Sequence, residues 1–285
     1  MLNTLSRRGL LRFASLALPF TRNGFPARMA GLVFADKDAS PTRELVPDIF
    51  PMQPPELTRE TVTVAHFDLR RVKELVEARP SLARAAWDWG FGDWESALGA
   101  ASHMGNRPIA DYLISKGARP SLFSAAMLGQ VEVVKAFVAA QPGVQRIRGP
   151  HGISLLAHAK AGGEAARPVF DFLQSLGDAD AEPSVVLSDA DIAKLAGTYT
   201  FGLGVSQQID VTVEHRQGAS AMYSPLTWTR KGTMGRPLAH LGDRSFYPAG
   251  APSVRIRFTE KEASVEMTIH DPELILVAHR IQEPK

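Results

Sequence analysis

Two hydrophobic periods divide the chain. From about Leu57 to residue 180, apolar positions recur at i, i+3, i+4 and i+7: Val169, Phe172, Leu173 and Leu176, then Val133, Ala136, Phe137 and Ala140, then Ile109, Tyr112 and Leu113. A 3.6-residue repeat gathers such positions on one face, so each set predicts a short amphipathic helix. Leu69, Val72, Leu75 and Val76 form a partial earlier copy. Alanine-rich stretches precede the sets: Ala97-Leu98-Gly99-Ala100-Ala101, Phe123-Ser124-Ala125-Ala126-Met127 and Leu155-Leu156-Ala157-His158-Ala159. Their small side chains let paired helices approach closely. Glycines mark the turns (Gly105, Gly129, Gly162-Gly163) and the stops (Gly117, Gly177), where a left-handed backbone costs them little.

From about Leu187 the period becomes two. Ser188-Asp189-Ala190-Asp191 predicts the capped start of a short helix, with Ile192 and Leu195 as its apolar edge. Beyond Gly197, Ile209, Val211 and Val213 alternate with Asp210, Thr212 and Glu214. Val254, Ile256 and Phe258 do the same with Arg255 and Arg257, and Val265, Met267 and Ile269 with Glu266, Thr268 and His270. Six to eight half-buried strands over about 90 residues predict an antiparallel barrel or curved sheet. The expected fold class is α+β, a short helical repeat array followed by a small antiparallel β-domain. The expected boundaries are residues 57–186 for the repeats and 187–285 for the β-domain, after a proline-rich linker over 36–56 (Pro41, Pro47, Pro51, Pro54, Pro55).

The order of small-residue helix, glycine turn, Val/Leu-rich helix and glycine stop resembles the ankyrin repeat, and Lys116-Gly117-Ala118 and Leu176-Gly177-Asp178-Ala179 resemble its closing segment. The resemblance implies three to four repeats. Equivalent positions Val72, Ile109, Val133 and Val169 are spaced by 37, 24 and 36 residues, against a family period of about 33. The short step leaves no room for a β-hairpin, so residues 118–121 should turn directly from one helix pair into the next. The family's Thr-Pro-Leu-His opening is replaced by Ser96-Ala97-Leu98-Gly99 and Ser154-Leu155-Leu156-Ala157. Trp87 to Arg107 and Gly149 to Gly163 are similar to bacterial exported ankyrin proteins, and Leu195-Ala196-Gly197-Thr198-Tyr199 resembles the opening of small β-domains appended to bacterial penicillin-binding-like proteins.

Ser6-Arg7-Arg8-Gly9-Leu10-Leu11-Arg12, ahead of the apolar run Phe13 to Phe20, resembles a twin-arginine export signal, with Val33-Phe34-Ala35 as a cleavage site after residue 35; the alternative is a basic tail. The resemblance implies a periplasmic or otherwise exported protein. Charge supports the division: residues 1–35 hold five arginines and no acid, so their removal leaves 27 basic against 30 acidic residues and shifts the formal charge from +2 to −3. That balance is no footprint for nucleic acid. The 285 residues, 45% hydrophobic and 22% charged, are ordinary globular usage. Zero cysteines exclude disulfides, thiolate metal sites and cysteine nucleophiles. No apolar run approaches the roughly 20 residues of a membrane-spanning helix.

The densest chemical feature is Trp87-Asp88-Trp89-Gly90-Phe91-Gly92-Asp93-Trp94, with three of the four tryptophans. The ankyrin resemblance implies a projecting hairpin there, where such proteins commonly contact partners, and clustered aromatic rings suit a hot spot. The same rings would serve equally to pack on neighbouring repeats. Arg146, Arg148, His151 and His158 surround the loop Gly149-Pro150-His151-Gly152, where they would face an acidic partner, an anion or only solvent. Two histidines without a nearby carboxylate predict no metal site. Asp88, Asp93 and His103 would make an acid–base set only if the fold assembled them. The chain has no His-Glu-x-x-His helix, P-loop or Gly-x-Ser-x-Gly elbow, and Gly202-Leu203-Gly204 predicts a strand turn.

These features point first to a non-enzymatic protein–protein interaction protein without cofactor, contacting its partner through Trp87, Trp89, Phe91, Asp93, Trp94, Arg148 and His151. The alternative is a small-ligand-binding or hydrolytic protein. Its pocket would lie in the β-domain mouth, lined by Tyr199, Phe201, Tyr223, Trp228 and Phe246.

Overall fold

Serines start three of the inner helices of the helical part. The side chains of Ser96, Ser121 and Ser154 accept from the backbone N–H groups of Gly99 (3.0 Å), Ser124 (3.2 Å) and Ala157 (3.1 Å), opening α3 (Ala97–His103), α5 (Leu122–Met127) and α7 (Leu155–Ala161). Each cap satisfies an amide that the helix itself leaves unpaired and contributes about 1 kcal/mol. The computed structural model describes residues 49, 51–180, 185–202, 209–215, 225–230, 232–262, 264–272 and 274–281. The export-signal reading of residues 1–35, most of the 36–56 linker, Leu203-Gly204 and Tyr223 lie outside them.

Each inner helix pairs with the next helix in sequence. Thus α1 (Pro55–Val64) packs on α2 (Leu69–Ala78), α3 on α4 (Arg107–Ser115), α5 on α6 (Val131–Ala140) and α7 on α8 (Arg167–Ser175), while α1, α3, α5 and α7 stack on one another. Small side chains permit the stack: in α3 every residue from Ala97 to Ser102 is buried. At Gly129 (φ +77°) a Cβ would stand 2.1 Å from the Ala165 carbonyl oxygen, so only glycine fits that turn. Val72, Leu75, Leu98, Ile109 and Leu113 fill one helical core, and Leu122, Val134, Leu155, Val169 and Leu173 another. Residues 118–121 run from α4 to α5 with no strand between them, as the 24-residue step predicts.

One helix turns the other way from expectation. In α6 the buried residue is Val134, with Val131 and Val138 packed beside it, while Val133 and Phe137 are exposed. This helix is apolar nearly all round, so two overlapping i, i+3/i+4 stripes compete, and only tertiary packing chooses between them.

The C-terminal part is an eight-stranded antiparallel barrel. Its strands are β3 (Gly197–Phe201), β4 (Ile209–His215), β5 (Leu226–Arg230), β6 (Arg236–Gly242), β7 (Ser245–Pro248), β8 (Arg255–Glu260), β9 (Val265–Asp271) and β10 (Leu274–Arg280), each paired with the next, with β10 closing on β3. The alternation holds: Val211, Val213, Ile256, Phe258, Val265, Met267 and Ile269 point into the core, and Arg255 and Arg257 outward. Helix α9 (Asp189–Leu195), capped by Ser188, adds Ile192 and Leu195 to that core, and the buried Tyr199 hydroxyl donates to the Leu195 carbonyl (2.7 Å). No helix among the described residues is long and apolar enough to cross a membrane.

Candidate functional site

The tryptophan-rich segment folds as a hairpin between α2 and α3. Strands β1 (Ala86–Asp88) and β2 (Trp94–Ser96) pair with Trp87 opposite Glu95. At the tip, the Asp88 carboxylate accepts from the Gly90 N–H (2.8 Å), and Gly90, Phe91 and Gly92 all have positive φ. That backbone turns the Phe91 ring onto Trp228 of β5 (centroids 5.1 Å apart), where it packs against the barrel core. The hairpin thereby joins the helical part to the barrel.

Asp93 is the centre of this junction. Its carboxylate accepts from the backbone N–H of His151 (2.9 Å), from His151 Nδ1 (2.8 Å) and from Arg236 of β6, which also donates to the Ala249 carbonyl (3.0 Å). The carboxyl sits so close to Gly250 that a Cβ there would lie 2.6 Å from it. Asp93 is only 2% exposed. Burial works against its charge, but the His151 hydrogen bonds and the Arg236 charge outweigh burial and hold its pKa below the usual range. His151 has φ +60°, an uncommon backbone for a non-glycine residue, and is held there by both bonds to Asp93.

Behind Asp93 lies Glu95, fully buried on β2. Its Oε2 accepts from Trp89 Nε1 (2.8 Å) and faces Nε2 of His151 (3.3 Å) and of His66 (3.5 Å), while its Oε1 faces His103 Nε2 (2.9 Å). Four side chains thus bring one potential metal-ligating atom each to within 4.8 Å of one another: His66, Glu95, His103 and His151. Burial raises the Glu95 pKa, but bonds from His103 and His151 overcome it and bring it to about 2. His151 is likewise opposed by burial and pushed up to about 9 by its bonds to Asp93 and Glu95. His158, fully buried on α7, does not join the four. Its Nδ1 donates to the Ser154 carbonyl (2.8 Å), its Nε2 has no partner among the described residues, and burial draws its pKa down to about 4.

A cavity of 410 Å³ opens where the hairpin tip meets the barrel. Trp89 and Phe91 of the hairpin and Phe201, Trp228, Met234 and Leu276 of the barrel supply most of its apolar wall, and Arg230 and Arg236 its cationic groups. Trp228 Nε1 is buried and has no hydrogen-bond partner among the described residues. Strand β10 pairs along its length with β9, but with β3 only at His279 and Arg280 among the described residues, and Leu276 lies in the stretch without a β3 partner.

The residues singled out from sequence therefore go to different places. Trp87 and Trp89 pack on the first helical core, Phe91 on the barrel, and Asp93 with His151 inside the junction; Trp94 alone of the aromatic set is largely exposed, at 64%. Arg148 pairs with Asp180 (3.1 Å) and Arg146 with Asp178 (2.9 Å), so neighbouring carboxylates occupy the basic loop. Tyr199 and Phe246 are core residues, and of the expected pocket set Phe201 and Trp228 line the cavity. Asp88, Asp93 and His103 form no set: Asp88 closes the turn, Asp93 holds His151, and His103 meets Glu95.

The premise that His151 lacks a carboxylate is corrected, because the hairpin supplies two from 58 and 56 residues upstream. Sequence reasoning missed Glu95, His66 and Arg236. The one local signal was the i, i+2 spacing of Asp93 and Glu95 on the hairpin's return limb, which aims two carboxylates the same way. No family model matches the chain, and neither the curated proteins nor the solved structures contain a match to it.

Proposed function

We propose that the protein binds a small amphipathic organic acid in the mouth of the barrel, under the Trp89–Phe91 hairpin. The observation that carries this reading is the 410 Å³ apolar cavity, lined from both parts of the chain, beside a buried Trp228 N–H without a partner among the described residues. The volume is in the usual range for ligand sites, and a few convergent polar groups in an apolar wall are their common chemistry. An apolar body would displace water from Phe91, Met234 and Leu276, and a carboxylate at the rim would meet Arg230. We read the helix pairs as a divergent ankyrin-type array presenting the hairpin. Support comes from the succession of helix–turn–helix units and from the hairpin between the first two. Export through the twin-arginine route remains our reading of residues 1–35.

The test uses the full chain with 1-anilinonaphthalene-8-sulfonate as probe and decanoate as competitor. The expected result is saturable probe binding at one site per chain, displaced by decanoate more readily than by decanol. Arg230→Gln should weaken decanoate about tenfold, the loss of one charge-assisted hydrogen bond. Met234→Trp, which fills the cavity, should abolish probe binding. Undiminished probe binding by Met234→Trp would sink the proposal.

A second reading, docking of a partner protein on the helical part, is favoured by one observation, the 64% exposure of Trp94 beside a hairpin whose other rings are partly buried. Photo-crosslinking from position 94, with Glu260 as control position, tests it. A single captured partner at 94 alone is expected; equal capture at both positions counts against it.

A further inference from the structure

We propose that His66, Glu95, His103 and His151 bind one divalent first-row transition-metal ion, with Zn²⁺ as the best-fitting candidate. This site is separate from the barrel cavity and does not rest on its proposed ligand.

Proton placement supplies the first argument. His66 Nδ1 faces two carbonyl oxygens, those of Val62 (3.1 Å) and Thr63 (3.0 Å), which can only accept. His151 Nδ1 faces the Asp93 carboxylate (2.8 Å). In the neutral form that a metal ion requires, an imidazole has one N–H to give, and in both rings it goes to Nδ1. Both Nε2 lone pairs then face the same oxygen, Glu95 Oε2, at 3.5 and 3.3 Å, and that oxygen already accepts from Trp89. Without metal the second proton of His151 lies between its Nε2 and Glu95, and a metal ion would displace that proton and take its place. An outer carboxylate or carbonyl holding the far ring nitrogen is also the usual support of a metal-binding histidine, and here Asp93, Val62 and Thr63 provide it.

Distance supplies the second. Metal–nitrogen and metal–oxygen bonds of 2.0–2.1 Å in a tetrahedron set ligand atoms about 3.3–3.4 Å apart. Glu95 oxygens stand 2.9, 3.3 and 3.5 Å from the three Nε2 atoms. The widest separation in the group is 4.8 Å, so closure takes a movement of about 1.4 Å shared between two side chains. Three imidazoles and one carboxylate, with no sulfur, suit zinc and its first-row neighbours rather than calcium or magnesium.

Four protein ligands leave no open position, which is the pattern of a structural ion. The ion would clamp the turn after α1, strand β2, the end of α3 and the loop before α7 at the face that carries the barrel. It would hold the Glu95 limb of the hairpin from behind while Asp93 holds the barrel in front.

The experiment strips the full-length protein with a chelator and titrates it with Zn²⁺ by calorimetry, alongside metal analysis and thermal unfolding. Expected are one Zn²⁺ per chain and a midpoint about 10 °C higher at saturating metal. Co²⁺ in place of Zn²⁺ should give the visible absorption of a tetrahedral complex. His66→Gln and His103→Gln should each weaken Zn²⁺ at least 100-fold and remove the Co²⁺ band, while Glu266→Gln on the barrel leaves both unchanged. Should His103→Gln fail to fold, His66→Gln decides, because His66 lies on a turn and is partly exposed. Absence of saturable Zn²⁺ uptake, or uptake by His66→Gln equal to the parent's, overturns the proposal.

Discussion

Asp93 and Arg236, 143 residues apart in the chain, close an ion pair whose side chains are 2% and 4% exposed. The aspartate comes from the hairpin and the arginine from the barrel, so this buried pair, with the Phe91 ring on Trp228, ties the two parts together. Pairing makes burial of both charges tolerable, and removing one partner leaves the other stranded. Asp93→Ala should therefore cost about 3–5 kcal/mol, measured by urea unfolding of the full chain. Asp93→Ala combined with Arg236→Met should recover part of that loss. A single-variant cost below about 1 kcal/mol would mean that the pair does not hold the junction.

Gly250 offers a graded test of the same contact. Its φ is +82° and a Cβ would stand 2.6 Å from the Asp93 carboxyl, whereas Gly242 has φ +96° and open space around it. Alanine at either position carries a backbone cost of about 1–2 kcal/mol. Only at residue 250 does it also push on Asp93. Gly250→Ala should be the more destabilising by at least about 1 kcal/mol in paired unfolding curves; equal costs would refute the close approach.

The backbone at Phe91 makes an opposite pair of demands. Its ring packs on Trp228, yet its φ of +59° suits glycine. Phe91→Ala loses the ring and keeps the strain, while Phe91→Gly loses the ring and relieves it. Phe91→Gly should therefore be the more stable of the two by about 1 kcal/mol, the reverse of the order in a helix or strand. Unfolding midpoints in urea decide the order.

Acid should act through His158. Burial holds its pKa near 4, below the unfolded value of 6.5, so the unfolded chain takes the proton first. The contribution to stability is fully present above pH 6.5 and is lost as pH falls toward 4. Between pH 7 and pH 5 the loss should be about 2 kcal/mol, read from urea midpoints. His158→Leu should flatten that part of the pH profile whatever it does to stability at pH 7; an unchanged slope would show that His158 is not the group responsible.

The helix pairs, the Ser188 cap and the alternating strands were legible in the chain because each is a local period or a local cap. Val211 with Val213, and Ile256 with Phe258, could face only one way once the period was two. Helix α6 shows where this ends: Val134 and Val133 lie on two equally apolar stripes, and packing against α8 buried the first.

The site was beyond local reading for a related reason. His66, Glu95, His103 and His151 come from a turn, a strand, a helix end and a loop, and no fixed spacing links them. Spacing places residues on one face only within a single element; between elements, convergence depends on how the elements dock. The chain alone settled the helical segments and the three strands with a clear alternation, because 3.6-residue and 2-residue repeats are written in neighbouring positions. Only the packing of the hairpin between helices and barrel turned Phe91 inward, set His151 at φ +60° and gathered three imidazoles around one buried carboxylate.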